Sequence, residues 1–348
     1  MAKQSADLPY RRGEARARSA SEGPPVARLR QGFARHYAAL DLGTNNCRLL
    51  IARPQGDGFA VVDAFSRIVR LGEGLAITGR LSDEAIERTI GALRICSDKL
   101  KRRNVTLARS VATEACRRAS NGAAFIARAY EETGIHLDVI SAEEEARLAV
   151  LGCHVLLEPG NAPALVFDIG GGSTELVLID TSTTVPTVID WHSAPWGVVS
   201  LTESAGGGEG PAGLAAAYER MRGLVRESFA PFAARLPKEP GPRRLLGTSG
   251  TVTTLASVHL GLDRYDRTQV DGLIAPAESM RRISHELAHM SIAQRAQLPC
   301  IGRERADLVV AGCAILETIL DLWPAERLGV ADRGIREGIL RRLMANGR

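Results

Sequence analysis

From residue 37 onward, apolar runs of strand length alternate with longer stretches in which apolar residues recur every three or four positions. The first pattern buries a strand and the second buries one stripe of a helix. Strands are expected at 37–42, 48–53, 59–65, 105–112 and 136–140 in the first half, and at 164–169, 175–180, 187–193, 243–247 and 327–330 in the second. Helices fit 83–102, 121–133, 142–157, 212–235, 250–260, 278–290, 304–322 and 333–345. Such alternation argues for an α/β chain. Ser82 and Ser141 stand where N-caps belong, and Ser141 with Glu144 has capping-box spacing. SAGGGEGP (204–211) reads as an exposed loop.

Within this pattern two units superimpose without a gap, ALDLGTNNCRLLIA (39–52) and the part of ALVFDIGGGSTELVLI (164–179) that ends with it. Asp41 matches Asp168, Gly43 matches Gly170, and Leu49–Ile51 match Leu176–Leu178. Each unit reads as strand, tight turn, strand, and each opens a half of the chain with further strands and helices. Two related domains account for this most simply.

A turn of small residues lets successive backbone N–H groups converge on an anion, and glycine permits the close approach. Gly170, Gly171, Gly172, Ser173 and Thr174 offer one such nest; Gly43, Thr44, Asn45 and Asn46 offer another with added side-chain donors. Phosphate is the natural guest. Asp41 and Asp168, each ending a strand, suit a magnesium ion that neutralises phosphate oxygens. A third turn, Gly247, Thr248, Ser249 and Gly250, follows a strand and opens a helix, which makes it an anion site or a plain connection. In VATEACRRASNG (111–122), Arg117 is placed to fork onto phosphate oxygens. SAEEEARL puts three glutamates in a first helical turn, where acids suit the helix dipole. Hydrolysis of a phosphoanhydride also needs a carboxylate to deprotonate water. With Glu144 engaged by the cap, Glu145 is the candidate base.

Composition narrows the class further. At 348 residues and 45% apolar content the chain is long enough for two domains, and nothing in it resembles a membrane span or a secretory signal. A cytoplasmic protein with six free thiols is the expectation, since no CxxC pair is present. The net charge of +4 belongs to residues 1–35, which hold eight basic and three acidic residues; the remainder has 36 basic and 37 acidic. That segment reads as a disordered basic tail, either a solvated leader or an arm for a polyanion. No motif reads a specific nucleic acid.

DLGTNNCRLL, TEACRRA, SAEEEARL, FDIGGGSTELV, GTSGTVTTLA and ADRGIREGIL, in that order, resemble the exopolyphosphatase and guanosine pentaphosphate phosphohydrolase (Ppx/GppA) family, in its short form without a C-terminal helical extension. The resemblance spans about residues 37 to 343. It implies two actin-like domains (the ribonuclease H-like superfold of actin, sugar kinases and Hsp70) with the active site in the interdomain cleft. The boundaries it suggests are 1–35 for the tail, 36–160 and 161–330 for the two domains, and 331–348 for a helix returning to the first. It implies Glu145 as catalytic base, and Asp168 and Glu175 serving the metal and phosphate chain with Asp41 facing them. Thr44, Asn45, Arg117 and the 170–174 turn would grip phosphates. The first turn departs from the family's usual Gly-Ser-Asn-Ser at Thr44 and Asn46, with donors retained. The implied activity is magnesium-dependent release of orthophosphate from polyphosphate, or from guanosine pentaphosphate, by a homodimer-forming enzyme. Two rivals stand beside it. An ATP-dependent kinase or ATPase of the same superfold is one. The other is a zinc protease built on His285-Glu286-x-x-His289, with Glu304 as a guessed third ligand.

Overall fold

The apolar runs fold as strands because helices cover them on both faces. The structure, a computed structural model, describes residues 35–346 except 161, 184, 209 and 237–243; the expected basic tail therefore lies outside the described residues, Arg35 apart. β1 (His36–Leu42), β2 (Asn46–Gln55), β3 (Gly58–Ile68), β4 (Val105–Ala112) and β5 (Leu137–Val139) form a first sheet in the order β3-β2-β1-β4-β5. The first three are an antiparallel meander; β4 pairs parallel to β1, and β5 to β4. β6 (Ala164–Ile169), β7 (Thr174–Asp180), β8 (Thr187–Ala194), β9 (Arg244–Thr248), β10 (Ile274–Pro276) and β11 (Arg327–Ala331) form the second, in the order β10-β11-β9-β6-β7-β8. From the meander outward, β8-β7-β6-β9-β11 repeats β3-β2-β1-β4-β5, and β10 extends the edge antiparallel. The molecule is thus an α/β fold of two actin-like lobes, as the repeated sequence unit requires.

Ten helices matter to the packing: α1 (Asp83–Arg102), α2 (Glu114–Arg118), α3 (Gly122–Thr133), α4 (Ala142–Cys153), α5 (Val198–Ala205), α6 (Gly210–Arg235), α7 (Gly250–His259), α8 (Ala277–Ala288), α9 (Val309–Leu322) and α10 (Ile335–Asn346). Ala38, Leu40 and Leu42 of β1 bury against α1 and α3, while Tyr37 and Ala39, one residue out of phase, bury against α4 and α10. In the second lobe Leu165, Phe167 and Ile169 meet α6 and α9. Ala164 and Val166 on the other face meet α4. Helix α4 is consequently wedged between the sheets: Leu148 and Ala149 serve the first, Ala146, Val150 and Cys153 the second. α10 presses onto α4 backbone to backbone. A Cβ on Gly338 would lie 2.0 Å from Leu148 O, and one on Gly152 1.9 Å from Gly334 O, so neither position admits a side chain.

Several expected boundaries move. Ser82 and Ser141 cap α1 and α4, but Glu144 does not close the capping box, because its carboxylate pairs with Arg109 at 2.8 Å. The helix expected over 304–322 starts only at Val309. Arg70 of the first lobe holds the preceding turns, bonding Asp307 at 3.0 Å and the Glu304 carbonyl at 3.2 Å, and so competes with helical winding there. The helix expected over 142–157 ends at Cys153 and tightens into a 3-10 turn. α5 was not foreseen; its run VVSLTESA is only eight residues long and is flanked by glycines. No helix among the described residues is long and apolar enough to cross a membrane.

Candidate active site

The two matched turns meet in space. Each closes with the same backbone bond, Gly43 N–H to Asn46 O and Gly170 N–H to Ser173 O, both 2.9 Å. They touch: a Cβ on Gly171 would lie 2.9 Å from Thr44 Cβ, and one on Gly172 2.6 Å from Thr44 Oγ1. Bare glycine is required by this contact. Around it opens a cleft, continuous with solvent, lined by Asp41, Gly43, Thr44, Asn45, Asn46, Glu145, Asp168, Gly170, Gly171, Gly172, Ser173 and Glu175 among the expected residues. Thr248, Ser249 and Gly250 of the third turn complete one wall. Ser249 holds φ at 104°, a conformation that costs a non-glycine residue energy, and its buried hydroxyl has no hydrogen-bond partner among the described residues.

Three expected residues do not line the cleft. Thr174 is fully buried and its hydroxyl donates to Trp196 O at 2.7 Å, which fixes the chain after β8. Gly247 is a packing glycine, since a Cβ there would meet the Phe167 ring at 2.6 Å. Arg117 stands behind the cleft wall instead of facing it. It donates to Ile140 O at 2.7 Å, to Glu114 at 2.5 Å and to Glu145 at 3.3 Å, so it brackets the glutamate.

Four carboxylates share the cleft with few partners. Burial, and then Asp41, push Asp168 up to about 6. Burial, and then Asp168, push Glu175 up to about 7, although Ser193 Oγ donates to it at 2.8 Å. Asp41 is also raised by burial, and its Oδ1 is buried without a hydrogen bond from any described residue. Glu145, 7% exposed, is raised well above the ordinary carboxylate range, by burial first and Glu175 second, with Arg117 pulling the other way. Charges left this exposed to one another persist where a ligand compensates them.

The register assigns the lobes unequal charge. Across the first hairpin Asp41 pairs with Arg48, whereas at the matching place in the second Asp168 pairs with Glu175. Arg48, Arg305 and Arg336 also line the cleft. The sequence reading did not single them out, although Arg48 and Arg336 fall within the motifs DLGTNNCRLL and ADRGIREGIL. Arg305 donates to Thr254 Oγ1 at 3.0 Å.

The protease-like motif is elsewhere. Glu286, on the exposed face of α8, pairs with Arg282 at 3.0 Å, and His289 lies past the helix end with Nδ1 2.8 Å from His285 O. Among the described residues no three His, Cys, Asp or Glu side chains gather to hold a metal by themselves.

Two actin-like lobes that close glycine turns and buried carboxylates upon one cleft define the class, an α/β protein with its candidate site between matched turns. The chain belongs to the Ppx/GppA phosphatase family, whose profile matches residues 50–346. It is 34% identical over 316 residues to Exopolyphosphatase 2 of Mycobacterium tuberculosis, covering 87% of this chain and 96% of that one. The crystal structure of an exopolyphosphatase-like protein superimposes with a TM-score of 0.79 at 30% identity, covering 89% of this chain and 98% of that one. An Aquifex aeolicus member of the family gives 0.74 at 28%, covering 90% and 99%.

Proposed function

We propose that the protein is a magnesium-dependent exopolyphosphatase that hydrolyses the terminal phosphoanhydride bond of inorganic polyphosphate. The observation that carries this reading is the position of Glu145, in a cleft whose two anion-binding turns face each other, with an arginine bracketing its carboxylate. The name of the Mycobacterium tuberculosis relative points to the same substrate.

In this reading the N–H groups of the 43–46 and 170–173 turns hold the terminal phosphates. Positioning of this kind supplies most of the rate in phosphoryl transfer. Glu145 orients a water molecule and takes its proton as the water oxygen bonds to the terminal phosphorus. The bond from that phosphorus to the bridging oxygen breaks, and the bridging oxygen leaves with the shortened chain. Glu145 must be ionised to act as base. Burial opposes this, and Arg117 counters burial by holding the carboxylate form.

The residues present suit magnesium. The unpartnered Asp41 Oδ1 and the Asp168–Glu175 pair offer anionic oxygens to an ion that keeps water and substrate oxygens around it. Asp41, Asp168 and Glu175, which line the cleft, would hold it only together with water and substrate oxygens. When bound, it neutralises charge on phosphate oxygens.

The test is orthophosphate release, with and without magnesium, from polyphosphate, guanosine pentaphosphate and ATP measured side by side. Faster release from polyphosphate is expected. Preference for guanosine pentaphosphate would move the substrate and keep the chemistry; release from none of the three removes the reading.

A further inference from the structure

Arg336 occupies the second position of α10 and lines the cleft. It forms no hydrogen bond or ion pair with any described residue. The acids near it have other commitments. Glu337 accepts from Gly334 N–H at 2.9 Å and from Arg267 at 3.1 Å, and Asp332 pairs with Arg267 at 3.2 Å. Burial, foremost, pulls the guanidinium below the ordinary arginine range; Glu337, Asp41 and Asp332 attract it from a distance, and Arg48 repels it. A partly desolvated cation with five idle donors is costly to keep. Its placement makes sense if an anion enters the cleft and takes those donors.

We propose that Arg336 binds a phosphate group of the substrate, which makes the C-terminal helix one wall of the polyphosphate site. The proposal rests on the reading that a phosphate chain occupies the cleft. The surrounding construction supports it. Glu337 closes the first turn of α10, and the glycine contacts at Gly152 and Gly338 fasten α10 to α4, the helix carrying Glu145. Arg336 and Glu145 therefore ride on one rigid helix pair, and the cation's distance from the base is set by backbone packing. A planar fork suits two oxygens of one phosphate better than a lysine's point charge does.

Calorimetric binding of tripolyphosphate, in a Glu145→Gln background so that the chain is not consumed, tests this. Adding Arg336→Gln should weaken binding about ten- to a hundredfold, the loss of a charge-assisted pair, and Arg336→Lys should weaken it by less. The melting temperature should stay level or rise, because a partly desolvated charge without a hydrogen-bonded partner is removed. Unchanged tripolyphosphate affinity in Arg336→Gln overturns the proposal, as does a protein with Arg336 intact that binds no tripolyphosphate. If the glutamine variant does not fold, the lysine variant decides: affinity equal to that with arginine sinks the claim. Binding is read without turnover. A wild-type protein that binds tripolyphosphate through Arg336 yet releases no phosphate would end the hydrolase reading and leave this inference standing.

Discussion

At the end of β1 the chain carries Asp41 across from Arg48; at the end of β6 it carries Asp168 across from Glu175. The backbones of the two hairpins close with the same bond at the same length, and their sequences diverge in what surrounds it. The first turn keeps Thr44 and Asn45 as buried polar residues, while the second is three glycines and a serine. One lobe thus sets a cation across the hairpin from its aspartate and adds side-chain donors, and the other concentrates acids beside bare backbone. In the proposed reading, a duplicated frame with unequal charge would hold both halves of a metal–phosphate pair, the anion nearer the first lobe and the cation nearer the second.

The largest effect should come from the residue wedged between the lobes. Glu145→Gln keeps the shape and removes the proton acceptor, so orthophosphate release should fall by about a thousandfold or more while tripolyphosphate still binds. Steady-state release together with calorimetry checks it. Turnover within a few-fold of wild type would take Glu145 out of its role.

Next comes the contact between the turns, where the comparison predicts unequal tolerance. A Cβ on Gly43 meets only Asn46 O at 3.7 Å, an ordinary contact, whereas on Gly172 it collides with Thr44 Oγ1 at 2.6 Å and Glu114 Cγ at 3.0 Å. Gly172→Ala should cost about 1–3 kcal/mol and about a hundredfold in activity, by pushing the lobes apart; Gly43→Ala should change stability by less than about 1 kcal/mol. Urea denaturation of both variants gives the answer, and equal losses would mean that the two turns carry the interface alike.

Much of this frame was legible in the sequence, and the misses have physical causes. The gapless match of 39–52 to the second unit located both turns, because strand and turn chemistry are local. Gly247 looked like the other glycines, yet it makes room for Phe167, and a sequence does not distinguish room for a ring from room for a phosphate. Arg117 displayed a charge without a direction, and only the fold turns it toward Glu145. Arg48, Arg305 and Arg336 come from three distant places in the chain, and no local pattern marks their convergence on one cleft.

The acids of the second lobe make a third prediction, for the protein freed of divalent cations. Asp168 is held at about 6 and Glu175 at about 7, above their ordinary values near ~4, so the folded state binds protons that the unfolded state has released. The stability these groups contribute is fully present below their unfolded values and is lost as pH rises through about 6 and about 7. Melting temperature should therefore fall from pH 5 to pH 8, with a loss of stability on the order of 4 kcal/mol. Asp168→Asn should raise stability at pH 8 and flatten the profile, because removing one carboxylate also relieves the other, and added magnesium should do the same for the wild type. A profile that rises with pH would mean that the acids are already compensated within the protein.

The smallest effect belongs to the side-chain donors of the first turn. Asn45 has two duties that can be separated. Its backbone carbonyl accepts from Val69 N–H at 2.9 Å and Arg70 N–H at 3.0 Å, which anchors the turn to the segment after β3. Its side-chain amide makes no hydrogen bond with any described residue, so its Nδ2–H donors are available to a phosphate oxygen and contribute little to the fold. Asn45→Ala leaves the anchor intact and removes one hydrogen-bonding group, worth about 1–2 kcal/mol to a charged partner. KM for polyphosphate should rise about five- to twentyfold with kcat nearly unchanged, and stability should move by less than about 1 kcal/mol. A fall in kcat at constant KM would instead place Asn45 at the reacting phosphorus, and the division of labour between the two turns would have to be redrawn with chemistry on the first lobe.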